Sequence, residues 1–224
     1  MANRRRHDRG VPTWDLPVRI FHWALVVLLV SQLVTASIGG NAMHFHAIGG
    51  YCALTLVVFR VLWGFLGGEH ARFRDFVRGP GPVIRYAKST LRGPHPSHRG
   101  HNPLGGWSVL AMLASLLVQA TSGLFVNDDV MMEGPLAKHV SNRASEIATA
   151  IHDVNAAVLL ALIAVHIAAV LFYLLAKKEN LIEPMITGRS QSAAPGESAR
   201  YGNVWLAALL LGCCAAIVYF VVRI

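Results

Sequence analysis

Long apolar runs separated by polar, mostly basic stretches dominate the pattern of this chain. Five runs stand out, at about residues 18–38, 46–66, 105–126, 152–175 and 204–222. Each approaches or exceeds the roughly 20 residues that a helix needs to cross the hydrocarbon core of a bilayer. The chain is 54% hydrophobic and 14% charged, with mean hydropathy +0.47, too apolar for an ordinary soluble domain. The pattern predicts an all-α membrane protein with five spans.

Arginine and lysine predict the direction of the spans. The N-terminal stretch carries Arg4, Arg5, Arg6, Arg9 and Arg19. The connection between the second and third spans carries Arg72, Arg74, Arg78, Arg85, Lys88, Arg92 and Arg99, and that between the fourth and fifth carries Lys177, Lys178, Arg189 and Arg200. These regions all fall on one side, which the positive-inside rule makes cytoplasmic. The other side has only Lys138, Arg143 and Arg223. The expected orientation puts the N-terminus on the cytoplasmic side and the C-terminus on the opposite side. All five tryptophans fall near predicted cytoplasmic ends, as an aromatic belt would. A basic start before an apolar run also fits a secretory signal, but the run's length and the four later spans favour a first transmembrane helix. The net charge of +8 is spread between the spans and forms no groove-sized cluster, so nucleic acid is not an expected partner.

The connections differ in character. Residues 39–45 read as a short outer turn. Residues 67–104 read as a cytoplasmic loop, with a turn at Gly79-Pro80-Gly81-Pro82 and a short amphipathic helix at 83–92. Residues 127–150 read as the longest outer loop, mildly acidic through Asp128, Asp129, Glu133 and Glu146 against Lys138 and Arg143. Residues 188–203 are rich in Ser, Ala, Gly and Pro and read as a flexible linker. The fifth span carries no histidine and no charge within the run, so it is expected to lie outside the core.

Histidines carry the candidate chemistry. His22, His46, His152 and His166 each lie in or at the edge of a span. His152 and His166 are 14 residues apart on one span. That is almost four turns, which puts both on one helix face, about 21 Å apart. With alternating topology, His22 falls near the cytoplasmic side and His46 near the outer side; His152 is outer and His166 deeper. The depths match as His46 with His152 and His22 with His166, the inner match being looser. A single histidine at a helix end is more often an interfacial polar residue, but two depth-matched pairs point to two haems stacked across a membrane. A zinc or copper site would gather three or four ligands at one depth. Bis-histidine ligation leaves no open iron position and suits electron transfer rather than oxygen binding.

His44 competes with His46 for the outer position. His46 is preferred because Gly49 and Gly50 leave room beside the helix for a flat macrocycle. His7, His70, His95, His98, His101 and His139 lie in tails or loops and read as solvated. Arg60, toward the cytoplasmic end of the second span, fits two roles: snorkelling to the interface, or pairing with a haem propionate. Cys52, Cys213 and Cys214 lie within apolar runs, and no C-x-x-C-H is present for covalent haem attachment.

Several stretches together resemble the bacterial cytochrome b-561 and nickel–iron hydrogenase b-subunit family, which includes formate dehydrogenase membrane subunits. They are W-D-L-P-V-R-I-F-H-W at 14–23, H-A-I-G-G-Y at 46–51, F-R-V-L-W-G-F-L-G at 59–67, G-H-N-P-L-G at 100–105, I-H-D-V-N at 151–155, V-H-I-A-A-V at 165–170 and E-N-L-I-E-P-M-I-T-G at 179–188. The resemblance covers about residues 12–190. It implies a four-helix transmembrane bundle holding two b-type haems, with ligands at His22, His46, His152 and His166. The expected organisation is a dihaem membrane domain over 1–190, then a linker and an additional C-terminal transmembrane helix over 191–224.

The resemblance also implies electron traffic between the quinone pool and a periplasmic partner, either a c-type cytochrome or the dehydrogenase or hydrogenase subunits that such a chain would anchor. The quinone would sit by His166 and the junction at His101, Asn102 and Gly105. There Asn102 either bonds a quinone carbonyl or caps the third helix ahead of Pro103. The mildly acidic outer loop suits a basic partner. A stand-alone enzyme, such as a superoxide:quinone oxidoreductase, is the alternative, and the fifth span leaves homo-oligomerisation open.

Overall fold

The computed structural model describes residues 10–92, 100–127, 132–190 and 200–224. Outside these lie Arg4, Arg5, Arg6, His7, Arg9, His95, His98, Arg99, Asp128, Asp129 and most of the expected linker. The elements run β1 (Val11–Pro12), α1 (Leu16–Ile38), α2 (Ala42–Leu66), α3 (Phe73–Phe76), α4 (Pro80–Arg92), α5 (Pro103–Gly123), a 3₁₀ turn (Ala137–His139), α6 (Asn142–Leu175), α7 (Ile182–Thr187), β2 (Arg189–Ser190) and α8 (Val204–Val221). Helices α1, α2, α5, α6 and α8 are long and apolar enough to span a membrane. Large side chains such as Val27, Ile38, Phe45, Val154 and Phe220 point outward on them and are exposed, the arrangement expected where the solvent is lipid.

Several boundaries differ from the sequence reading, α2 for one beginning at Ala42 inside the expected 39–45 turn. Helix α6 begins at Asn142, about ten residues before the apolar run, and takes over much of the expected outer loop. Hydropathy sees only the apolar part, whereas residues 143–151 are mostly good helix formers behind a Ser141 hydroxyl that accepts from Ala144 N at 3.3 Å. At 34 residues α6 is about 51 Å long, more than the roughly 30 Å of hydrocarbon, so part of it projects beyond the lipid core. Helix α4 begins at Pro80, inside the expected turn. Proline has no N–H to leave unpaired in a first turn, and its fixed φ suits that position.

The chain forms two compact units. The first takes residues through Arg19, Trp63–Leu110 and Ala164–Ala207. Its N-terminal strand β1 pairs antiparallel with β2, Val11 opposite Ser190. Thr13 N and Trp14 N both donate to Gly188 O, at 2.9 and 3.3 Å. Gly188 closes α7 in the left-handed conformation (φ 82°) that glycine adopts without strain. Buried Asp15 caps α1: Oδ1 accepts from Val18 N at 3.0 Å and Oδ2 from Trp63 Nε1 at 3.2 Å. In the same unit, Asn102 caps α5, accepting from Gly105 N at 2.7 Å with Pro103 between them.

The second unit takes Ile20–Leu62, Ala111–Ile163 and Ala208–Ile224. Here Gly39 and Gly40, both at positive φ, turn the chain from α1 into α2. A core cluster of Leu54, Leu124 and Val218 is flanked by Tyr51, Phe125 and Leu136, so α8 contributes packing here. The loop after α5 is pinned back by Leu136 N to Leu124 O at 2.9 Å and by Ser145 Oγ to Phe125 O at 2.7 Å.

Candidate functional site

The second unit brings two of the four candidate histidines together. His46, in the second turn of α2, and His152, in the third turn of α6, face each other with ring centroids 6.3 Å apart and planes at 76°. A single iron held at about 2.0 Å by each imidazole would set the ring centres about 6 Å apart. His44 is exposed on α2 and packs against Phe45.

Hydrogen bonds fix which nitrogen of each ring is available. His46 Nδ1 lies 3.2 Å from Gln32 O and 3.3 Å from Thr35 Oγ1. His152 Nδ1 lies 2.9 Å from Gln119 O and 3.3 Å from Ser122 Oγ. A carbonyl oxygen only accepts, so both Nδ1 atoms carry the proton and donate. Each Nε2 is left with its lone pair, the form that ligates iron, with the backbone supplying the outer hydrogen bond typical of metal-bound histidine. Among the described residues no cluster of three or more His, Cys, Asp or Glu is placed to hold a metal ion. A two-ligand centre that completes its coordination from a macrocycle fits this donor set.

Glycines shape the surroundings. A Cβ on Gly123 would come within 3.0 Å of His152 Cε1. A side chain at Gly49 would run into the Gln32 amide, so the room expected beside Gly49 is taken by Gln32, while Gly50 faces open space. Behind His152, Asn155 Nδ2 donates to Gln119 Oε1 at 2.7 Å and to Ser115 O at 2.9 Å, and Ser115 Oγ donates to Asn155 Oδ1 at 3.0 Å. Sequence reasoning missed these polar residues. The signal was present, as Gln and Ser/Thr three apart inside two apolar runs: Gln32-Leu33-Val34-Thr35 and Gln119-Ala120-Thr121-Ser122.

His22 belongs to the second unit, on α1, and its ring meets Trp23 edge-on at 5.0 Å. His166 belongs to the first unit, on α6, and is half-buried. Arg60, on α2, is only 2% exposed. Snorkelling requires a head group that reaches water; this guanidinium is held inside the fold.

In the first unit, His101 is packed between Trp14 (centroids 4.6 Å) and Phe76 (4.4 Å) rather than solvated in a loop, as its position in the sequence suggested. Asn102 uses its carbonyl oxygen as the α5 cap and donates its amide to Tyr173 Oη at 3.2 Å. Tyr173 and Tyr86 hydroxyls are 2.9 Å apart. Burial, and then the Tyr173 hydroxyl, pushes the Tyr86 phenol well above its ordinary range.

Long apolar helices and facing imidazoles fit a membrane b-type cytochrome, a class that transfers electrons, and a family match assigns the chain to it. Residues 13–188 match the family of prokaryotic cytochrome b561, and the chain belongs to that family. The match stops before α8. No curated protein and no solved structure matches the chain.

Proposed function

We propose that this chain is a dihaem cytochrome b of the bacterial inner membrane that carries electrons between a periplasmic redox partner and the membrane quinone pool. His46 and His152 would hold the outer haem, and His22 and His166 the inner one. The observation that carries the reading is the facing arrangement of His46 and His152, with both Nδ1 protons engaged by backbone carbonyls. A b-type haem bound there would supply a one-electron couple, with His46 and His152 as the residues that hold it. The chain's own part is to hold the two rings in the ligating tautomer and to surround them with apolar helix faces that keep water out. The 14-residue spacing of His152 and His166 on α6 supports the second ligand pair. Buried Arg60 is assigned to a haem propionate, which a guanidinium pairs well.

Quinone is assigned to the neighbourhood of His101, Asn102 and Gly105. Support comes from the aromatic and hydroxyl groups gathered there, Trp14, Phe76, Tyr86 and Tyr173. Asn102 keeps a second amide hydrogen for a carbonyl after serving Tyr173. The charge asymmetry between connections supports a cytoplasmic N-terminus. The partner outside would be a c-type cytochrome or a dehydrogenase or hydrogenase subunit.

The test is a pyridine haemochrome assay with a reduced-minus-oxidised spectrum on the purified chain. Two b haems per chain are expected. One haem, or none after haem supplementation during expression, overturns the proposal.

A further inference from the structure

Helices α1 and α5 present the same device to the two facing histidines. On α1, Gln32 O and Thr35 Oγ1 lie at His46 Nδ1; on α5, Gln119 O and Ser122 Oγ lie at His152 Nδ1. The hydroxyls are acceptors in both places, because each has one proton and a carbonyl to receive it. Thr35 Oγ1 donates to Ser31 O at 2.7 Å and Ser122 Oγ to Gln119 O at 3.1 Å. Each Nδ1–H is therefore held between a carbonyl and a hydroxyl three residues apart on one helix turn. Two acceptors on one N–H restrict rotation of the ring about its Cβ–Cγ bond more narrowly than a single acceptor does. The planes so held stand at 76° to one another.

We propose that Thr35 and Ser122 are positioning residues that fix the mutual angle of the two axial imidazoles. This rests on the assignment of His46 and His152 as haem ligands. The two sides are unequal. Behind His152 the Gln119 amide is tied by Asn155, which is itself held by Ser115. The Gln32 amide nitrogen is buried with no hydrogen-bond partner among the described residues. The His46 ring therefore depends more on its hydroxyl than the His152 ring does.

Axial planes that are nearly perpendicular keep two d orbitals of low-spin ferric iron close in energy. The electron paramagnetic resonance spectrum then shows a single strongly anisotropic, high-g feature, whereas near-parallel planes give an ordinary rhombic spectrum. The experiment compares ferric spectra and haem content of the detergent-purified chain with those of Thr35→Val, Thr35→Ser, Ser122→Ala and His46→Ala. The outer signal is the one missing in His46→Ala. It should be of the high-g kind. Thr35→Val should keep both haems and move that feature to lower g, Thr35→Ser should restore it, and Ser122→Ala should move it less. A rhombic outer signal in the parent, or a spectrum unchanged in both Thr35→Val and Ser122→Ala while His46→Ala loses its haem, overturns the proposal and leaves the ligand assignment standing. If Thr35→Val loses the haem, the proposal stands only if Thr35→Ser returns both haem and signal, and falls otherwise. Retention of both haems in His46→Ala removes the ligand assignment, and the proposal with it.

Discussion

The Gln119 carbonyl lies 2.9 Å from Nδ1 of His152, 33 residues further along the chain and on a different helix. That one hydrogen bond decides the tautomer of the ring and leaves the Nε2 lone pair for a ligand. It also makes the placement of α5 against α6 a determinant of the site, although α5 contributes no ligand of its own.

Ligand assignments make distinct predictions for five alanine variants. His46→Ala and His152→Ala should each lose the same b haem, and His22→Ala and His166→Ala should each lose the other. His44→Ala should retain both. Haemochrome stoichiometry with redox titration separates the outcomes; loss of the outer haem in His44→Ala would move the assignment to that residue.

Gly123→Ala tests the close approach behind His152. A methyl group 3.0 Å from Cε1 forces the ring or the helix to shift, at about 1–3 kcal/mol, which outweighs the gain of up to about 1 kcal/mol from replacing a helical glycine. Thermal unfolding in detergent should fall, with weakened retention of the outer haem. Gly50→Ala, with nothing within 4 Å of the added atom, should be neutral or slightly stabilising.

Arg60→Gln should lower the midpoint potential of one haem without changing haem count. Removing a positive charge near the iron favours the ferric form, and each 1.4 kcal/mol lost corresponds to about 59 mV for one electron. Potentiometric titration in detergent measures it; unchanged potentials for both haems would remove Arg60 from the haem environment.

Tyr86 predicts an alkaline limit. Burial, followed by Tyr173, raises its pKa above the ordinary value of about 10. For an acid whose folded pKa is raised, the contribution to stability is fully present below the unfolded value and is lost as pH rises through the folded one. The parent should lose stability above about pH 10 more steeply than Tyr86→Phe. At neutral pH that variant should cost about 1 kcal/mol for the lost Tyr173 hydrogen bond. Thermal unfolding across an alkaline series reads both effects.

Truncation after residue 190 probes α8. The family match ends at 188, so both haems should remain. Val218 packs with Leu54 and Leu124, so the melting temperature in detergent should fall.

Much was determined along the chain itself. The five spans could be read from hydropathy because lipid demands about 20 continuous apolar residues whatever the neighbours do. The histidines stood out because imidazoles are costly in hydrocarbon and rarely occur there without a role. The start of α6 was misjudged because its first ten residues are helical by propensity and capping rather than by hydropathy. His46 was already preferred over His44 in the sequence, and tertiary structure turned its ring toward His152; it alone buried Arg60, packed His101 between Trp14 and Phe76, and joined Asn102 to Tyr173. It also recruited Gln32, Thr35, Gln119, Ser122 and Asn155 behind the two rings. Hydrogen bonds between helices depend on rotation and register, and these are set by packing of side chains from distant parts of the sequence, which no local pattern encodes.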